Sequence, residues 1–332
     1  MNHPTSWDTP ALFDAAEVTP PPLPGPGFQG VTFHEQRART LLNKLPGARP
    51  GGMAWTLNPY RGCTHACTYC FARDSHTRLG LDPGHGFNTQ IIVKTNAADV
   101  LRRELRGGKT GHDWVMVGTS TDCYQRAEGH YRLMPGILRT LIDHRVNFTT
   151  TTKSALLRRD IPLYAEAART ANVLVMTSLG SLDERVWRAF EPHTAPPRAR
   201  LATLAALRDA GIPAGVLIAP VIPHAGDRPT ALDALVDACA EAGAVTVYPD
   251  VMRVSPGARD WFLTQSATHL PPHLHQRLAS SYTHRRAMPT PYVRQVTDHI
   301  HMRAAHHGMP RWEEYVLSVN ERSGTANSMR RR

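Results

Sequence analysis

The chain has 332 residues, of which 41% are hydrophobic and 20% charged, a composition typical of a globular protein with one large core. No apolar run approaches the roughly 20 residues of a membrane helix, and no basic patch leads into an apolar run at the N-terminus, so we expect neither a membrane span nor a secretory signal. The net charge of +10 at pH 7 leaves two explanations open, an anionic partner such as nucleic acid or a compositional bias toward arginine, because only Lys44, Lys94, Lys109 and Lys153 among the 38 basic residues are lysines.

The N-terminal part is predicted to be a proline-rich leader followed by a basic helix. Residues 19–27 are mostly proline and glycine, which favour neither a helix nor a central strand. Between His34 and Leu45 the pattern becomes helical, with Leu41 and Leu42 on one side and charged residues elsewhere.

A repeating unit of a short apolar run and a longer amphipathic stretch begins at Met53. The predicted strands cover residues 53–57, 114–118, 147–152, 173–178, 212–219 and 245–248, and the predicted helices cover 97–106, 131–144, 161–170, 197–210 and 229–242. Strands that alternate with helices form parallel βαβ units with right-handed crossovers. Six units are fewer than the eight of a closed barrel, so the predicted fold class is α/β, a partial (β/α)6 TIM-like barrel.

Two further helices are predicted near residues 272–281 and 292–307. The chain is therefore divided into the leader and basic helix (1–50), the barrel (51–258) and a helical C-terminal extension (259–332). We expect the extension to close the open side of the barrel and to shape the substrate pocket, and its many histidines to be surface or packing residues.

Polar segments follow the predicted strands, at the carboxyl edge where barrels of this kind carry their chemistry. These segments are residues 58–62, 119–125, 151–154, 177–178, 219–224 and 249–253. We expect them to converge on one mouth.

Three of the five cysteines, Cys63, Cys67 and Cys70, follow the first predicted strand in a CxxxCxxC spacing. In the reducing cytoplasm, the expected location, clustered cysteines indicate metal ligands or catalysts rather than disulfides. Three thiolates suit zinc or an iron–sulfur cluster, and the missing fourth ligand implies an open position for a small molecule. His65 or His76 could complete a zinc site, although His65 lies between two of the ligands, where binding the same ion would be strained.

The CxxxCxxC motif, with the aromatic Tyr69 before the third cysteine, resembles the radical S-adenosylmethionine superfamily. The chain also resembles, more narrowly, the spore photoproduct lyase-related branch of this superfamily, in residues 55–63, 118–125, 152–154 and 191–194. Within that branch it resembles the actinobacterial-type proteins of unassigned reaction. The resemblance implies a partial (β/α)6 barrel, a [4Fe-4S] cluster and S-adenosylmethionine, whose cleavage yields a 5′-deoxyadenosyl radical that abstracts hydrogen from a substrate. It also implies an external electron donor of the flavodoxin or ferredoxin type.

The resemblance assigns roles to individual residues. Cys63, Cys67 and Cys70 would bind the cluster. The cofactor-binding candidates are Tyr69, Ser120, Thr121, Asp122, Lys153 and Ser178. Tyr69 would lie beside the adenine, Lys153 would bind the carboxylate as a compact point charge, and Ser178 would reach that carboxylate or the ribose. The segment 119–122 lies where the superfamily binds the amino group, although it lacks the Gly-Gly-Glu sequence common there.

Cys123 has two possible roles. A thiol beside this loop could return a hydrogen atom to a product radical, or it could be a buried structural residue. Asp122, Gln125, Arg126 and Glu128 could contact substrate, or some of them could cap the following helix. Cys239, on an apolar helix face, is expected in the core.

Three functions remain open at this point. The first is a radical S-adenosylmethionine enzyme acting on nucleic acid, with a DNA-repair lyase as the related chemistry. The second is a non-catalytic iron–sulfur or zinc protein that binds nucleic acid. The third is an enzyme of the first kind acting on a protein or peptide.

Overall fold

The computed structural model describes residues 30–49 and 51–329 of the chain. The predicted proline-rich leader, at residues 1–30, lies outside the described residues except for Gly30.

Ten strands in the described part of the chain form two sheets. In chain order they are β1 (Thr32–Gln36), β2 (Leu42–Lys44), β3 (Met53–Leu57), β4 (Tyr60–Arg61), β5 (Gln90–Lys94), β6 (Trp114–Val117), β7 (Phe148–Thr152), β8 (Val173–Ser178), β9 (Ala214–Val221) and β10 (Val247–Val251). The larger sheet has the order β10-β9-β8-β7-β6-β3-β2, and the smaller sheet has the order β1-β5-β4. The six strands from β10 to β3 are all parallel, whereas β2 pairs antiparallel with β3.

The α-helices of the described residues are α1 (Asp74–Thr77), α2 (His85–Thr89), α3 (Ala97–Leu105), α4 (Arg126–Tyr131), α5 (Leu133–Asp143), α6 (Ile161–Ala168), α7 (Glu184–Phe190), α8 (Pro197–Asp209), α9 (Pro229–Glu241), α10 (Arg259–His269), α11 (Pro272–Tyr282), α12 (Thr290–His306) and α13 (Trp312–Met329). Short 3-10 helices cover Phe71–Arg73, Ala155–Asp160 and Pro256–Ala258. None of the helices in this part of the chain is both long and apolar enough to cross a membrane.

The six parallel strands and the helices between them confirm the predicted α/β partial barrel. β3 and β8 have the predicted bounds. Every residue of β8 is buried, as expected for a strand covered on both faces in a parallel sheet. The main core lies between the sheet and its helices and includes Leu101 of α3, Leu138 of α5 and Val236 of α9.

The predicted basic helix between His34 and Leu45 is wrong, because these residues form the edge strands β1 and β2. The backbone N–H groups of Leu41 and Leu42 donate to the Glu104 carboxylate, at 3.0 Å and 2.9 Å. Each strand also pairs along one side, β1 with β5 and β2 with β3, which gives further backbone groups a partner. Weak helical patterning is overridden where neighbouring strands offer such partners.

The C-terminal segment packs at both ends of the barrel. Phe262 of α10 and Tyr282 of α11 join a cluster with Tyr69 of the cysteine loop. In contrast, Val316 of α13 packs among inward-facing side chains of β6 and β8. The Asn320 side chain accepts from the Trp114 indole at 2.9 Å, at the first residue of β6. Because parallel strands begin at the same edge, α13 covers the barrel end opposite the cysteines.

Candidate active site

A cavity of about 590 Å³ lies at the carboxyl edge of the parallel strands. We call it the active-site cavity. Its wall includes all of the predicted cluster and cofactor residues, namely Cys63, Cys67, Tyr69, Cys70, Ser120, Thr121, Asp122, Lys153 and Ser178. The prediction that the polar strand ends converge on one mouth is therefore confirmed for these residues.

The cysteine loop begins at a glycine that no other residue could replace without strain. Gly62 has φ +75°, and a Cβ there would lie 2.7 Å from the Gln90 carbonyl oxygen. The fully buried Gln125 side chain accepts from the Thr64 N–H and donates to the Gly62 carbonyl, each at 3.0 Å. Gln125 thus anchors the loop and is not exposed to a substrate.

Arg73 anchors the C-terminal part of the cysteine loop. Its guanidinium is fully buried and donates to the Cys67 carbonyl at 2.9 Å and to the Gly84 carbonyl at 2.7 Å. It lies 5.1 Å from the Phe87 ring centroid and 4.7 Å from that of Trp261. Sequence reasoning missed Arg73, because nothing in its local pattern distinguishes it from the many surface arginines.

The three loop cysteines are free thiols in a poorly solvated site. Burial raises the pKa of Cys63 well above its ordinary value and that of Cys67 to about 12. Such thiols stay protonated near pH 7 unless a metal replaces the proton. Three soft donors without a fourth protein ligand fit a [4Fe-4S] cluster with one open iron.

The alternative of a zinc site completed by histidine is not favoured by the geometry. The His65 Nδ1 lies 3.3 Å from Asp122, and the His76 Nε2 lies 2.9 Å from the Gln90 carbonyl oxygen. Within residues 30–49 and 51–329, no three His, Cys, Asp or Glu side chains are grouped to hold a metal ion. In a cluster each cysteine binds a different iron, so such close grouping is not needed.

Asp122 joins the loops that follow β6 and β7. Its carboxylate accepts from the Thr152 hydroxyl at 2.8 Å and from the Lys153 N–H at 2.7 Å. Burial alone would raise the pKa of Asp122, but His65 and these hydrogen bonds lower it to about 2. Asp122 lines the cavity as an anion whose oxygens already have partners, which indicates a positioning role.

The backbone of residues 118–121 is fixed by two features. Gly118 has φ +83°, and a Cβ there would lie 2.6 Å from the Thr151 carbonyl oxygen. The Asn58 side-chain oxygen accepts from the Ser120 N–H at 2.9 Å and from the Thr121 N–H at 3.4 Å. The Thr121 hydroxyl donates to the Tyr60 carbonyl at 2.8 Å, so Ser120 has the more available hydroxyl in the cavity.

Lys153 and Ser178 project from the ends of β7 and β8. The Lys153 Nζ lies 6.0 Å from the centroid of the Tyr69 ring. Among the described residues no carboxylate forms an ion pair with it. The Ser178 hydroxyl donates to the Ala219 carbonyl at 2.8 Å and retains acceptor capacity.

A buried network behind the cavity connects the cysteine loop to α8. The Tyr69 hydroxyl donates to Glu191, whose second oxygen accepts from Arg200. Arg200 also donates to the Thr194 hydroxyl and, at 2.8 Å, to the Ser178 carbonyl. Burial would raise the pKa of Glu191, but Arg200 and then Lys153 lower it below its usual value. The network therefore holds Tyr69 and the end of β8 together.

Cys123 does not line the active-site cavity. It is fully buried in the main core, and burial raises its pKa well above the ordinary thiol value. This placement favours the structural interpretation. Glu128 is likewise buried and accepts from the N–H groups of Leu133 and Met134, so it caps α5. Cys239 lies in the core, as expected.

The mouth of the cavity carries an exposed aromatic ring and two arginines. Phe71, directly after Cys70, is 61% exposed. Arg253 pairs with Asp250 at 2.6 Å, whereas Arg286 has no ion-pair partner in the part of the chain that the structure describes.

Comparisons with known proteins agree with this architecture. The radical SAM superfamily model matches residues 57–235. Uncharacterised proteins of Mycobacterium bovis and Mycobacterium tuberculosis are 44% identical over 257 residues, which is 77% of this chain and 74% of theirs. An uncharacterised protein of Methanocaldococcus jannaschii is 27% identical over 189 residues, or 56% of this chain and 66% of that protein.

Among solved structures, spore photoproduct lyase with bound AdoMet and dinucleoside spore photoproduct has a TM-score of 0.62 at 16% identity, covering 83% of this chain and 79% of that chain. This likeness shows a shared fold. The family model covers more than half of the chain, and the chain therefore belongs to the radical SAM superfamily, which uses a [4Fe-4S] cluster and S-adenosylmethionine.

Proposed function

We propose that this protein is a radical S-adenosylmethionine enzyme whose cluster is bound by Cys63, Cys67 and Cys70. The observation that carries the proposal is the meeting of three free thiols and the Lys153 ammonium in one cavity at the carboxyl edge of the barrel. A binding module without catalysis has no need for a cation in the same cavity as a metal site.

Each cavity residue then has a defined task. Lys153 binds the carboxylate of S-adenosylmethionine, assisted by Ser178, and Ser120 accepts a hydrogen bond from its amino group. Tyr69, held by Glu191, supports the adenine. Thr121 and Asp122 position the backbone that surrounds the cofactor. When bound, the cluster and S-adenosylmethionine supply a 5′-deoxyadenosyl radical for hydrogen abstraction. The electron comes from an external donor, for which the flavodoxin or ferredoxin type stays a prediction.

We further propose nucleic acid as the substrate. Proteins that bind single-stranded nucleic acid combine aromatic faces for the bases with cations for the phosphates. Phe71, Arg253 and Arg286 offer this combination at the cavity mouth. The net charge of +10 favours the same class of substrate over a neutral peptide. A lyase reaction of the DNA-repair type stays a prediction from the sequence resemblance.

Anaerobic reconstitution with iron and sulfide tests the catalytic proposal. We expect 5′-deoxyadenosine to form on addition of dithionite and S-adenosylmethionine. Cys70→Ser should lose both cluster iron and product, whereas the core variant Cys239→Ser should keep both. A stable metal site without cleavage in the unmodified protein would support the non-catalytic alternative.

The substrate class is tested separately. Reconstituted enzyme is incubated with nucleic acid from cell extract, and nucleosides are compared by mass spectrometry with and without S-adenosylmethionine. We expect a cofactor-dependent change in one nucleoside. A change in extracted peptides alone would replace nucleic acid by a peptide substrate.

A further inference from the structure

A second cavity, which we call the groove, lies beside the active-site cavity and shares none of its wall residues. Its volume is about 910 Å³, and its walls come from α7 and the loop before it, the loop after β9, α9, the turn between α10 and α11, and α11 itself. A void of about 20 Å³ between the two cavities is lined by Tyr69 and Pro220 of the first and by Val186 and Phe190 of the second. The groove is therefore next to the reacting site.

The charge of the groove is positive. Its one wall carboxylate, Asp183, is paired with Arg185 at 2.6 Å. Arg228 and Arg277 are exposed on the groove wall, and no ion pair or side-chain hydrogen bond occupies either within residues 30–49 and 51–329. Many other surface arginines do have carboxylate partners, as Arg139 has with Glu166 at 2.6 Å.

The groove wall also includes apolar residues such as Ala231 and Leu274, which we call its apolar floor. Arg228 precedes α9, and Arg277 lies on α11. His224, whose Nε2 lies 3.2 Å from the Ser281 hydroxyl, stands on the same wall.

This arrangement resembles neither a small-anion site nor an apolar docking face. A free phosphate would use the arginines and leave the apolar floor empty, and an apolar helix would leave the arginines unpaired. A nucleic-acid strand presents phosphates at its edge and sugar and base surface beside them, so it matches both features.

We propose that the groove binds the phosphodiester backbone of a single-stranded nucleic-acid segment that continues from the nucleotide in the active-site cavity. This proposal rests on nucleic acid being the substrate. Arg228 and Arg277 each neutralise a phosphate, and the apolar floor covers sugar or base surface.

The test measures binding of a labelled single-stranded oligonucleotide to reconstituted protein by fluorescence anisotropy over a range of salt concentrations. Losing two phosphate contacts should lower the slope of log K against log salt by about 1.4, because each contact on a single strand contributes about 0.7. We expect this for Arg228→Ala/Arg277→Ala, together with a loss of affinity of roughly tenfold or more at low salt.

The matched control is Arg106→Ala/Arg169→Ala, which removes the same charge from exposed arginines outside both cavities. It should keep the original slope. Arg228→Lys/Arg277→Lys retains the charges and should restore most of the slope, which separates lost contacts from misfolding. Formation of 5′-deoxyadenosine without oligonucleotide should be the same in all variants.

Equal slopes for the groove and control variants would overturn the groove proposal and leave the proposed function standing. Displacement of the oligonucleotide by inorganic phosphate at constant ionic strength would also overturn it, in favour of a small-anion site. If the unmodified protein bound no oligonucleotide but still formed 5′-deoxyadenosine, the groove and the nucleic-acid substrate would both be rejected, while the cofactor chemistry would remain.

Discussion

At the scale of single residues, Lys153 should determine the affinity for S-adenosylmethionine. A hydrogen bond between charged groups contributes about 1.5–3 kcal/mol, so Lys153→Ala should raise the dissociation constant roughly tenfold to a hundredfold. Equilibrium dialysis of reconstituted protein measures this. Lys109→Ala, which removes a surface lysine paired with Glu104, is the control and should have no effect. Unchanged affinity in Lys153→Ala would contradict the assignment.

Phe71 should act on the substrate and not on the cofactors. Stacking on an aromatic side chain contributes about 1–3 kcal/mol per base, so Phe71→Ala should raise the KM for an oligonucleotide substrate about tenfold, and Phe71→Trp should preserve it. Leu317→Ala is matched in exposure, since both side chains are 61% exposed. Equal effects of the two alanine variants, or loss of cluster iron in Phe71→Ala alone, would count against a stacking role.

The sequence predicted which residues line the cavity, but not which residues hold them in place. The cysteine spacing and Lys153 can be recognised within short stretches of sequence. Tyr69 and Glu191, in contrast, are 122 positions apart, and only folding brings their side chains together. The sequence allows Gln125 to contact substrate, because nothing in its local pattern shows that this polar loop side chain is buried.

At the scale of secondary structure, a strand could be predicted from sequence when its own residues define it, and could not when its backbone partners on other elements do. β8 begins with a continuous apolar run over residues 173–176 and ends in the polar residues Thr177 and Ser178, so its bounds could be predicted from sequence. β1 and β2 are short and lie at sheet edges, and their backbone partners come from β5 and β3. A pattern of 12 residues cannot contain that information.

The ion pairs between α9 and α12 should give a measurable pH dependence. Arg303 and His307 lower the pKa of Asp237 to about 2, below the value of 3.8 expected in the unfolded chain. The unfolded state therefore takes up the proton first as the pH falls. The stabilisation from Asp237 is fully present above about pH 4 and is lost as the pH falls toward 2.

This is measured as the difference in free energy of unfolding between the unmodified protein and Asp237→Asn. We expect the difference to shrink between pH 5 and pH 2.5. Asp99→Asn is the control, since Asp99 pairs with Arg102 inside one helix and connects no two elements. A difference that grows as the pH falls would show that the sign is wrong.

At the scale of the whole molecule, α13 makes the C-terminal segment part of the barrel. Val316 is 7% exposed and its neighbour Leu317 is 61% exposed. Val316→Ala should lower the free energy of unfolding by about 1–2 kcal/mol, because it removes two buried methyl groups, whereas Leu317→Ala should be nearly neutral. Chemical denaturation measures both. Equal effects would mean that α13 is not docked.

The division into parts at 1–50, 51–258 and 259–332 stays a prediction.

The buried charge of Arg73 should affect the reduction potential of the proposed cluster. Its guanidinium is a fixed positive charge buried within the cysteine loop, close enough for all three thiolates to act on it. Each electron that enters such a site adds negative charge, and a buried cation stabilises the electron-rich form. Arg73→Met should therefore shift the midpoint reduction potential of the reconstituted protein to more negative values, and Arg73→Lys should shift it less. Arg73, which anchors the cysteine loop, would therefore also determine how strong a reductant is needed to start the reaction.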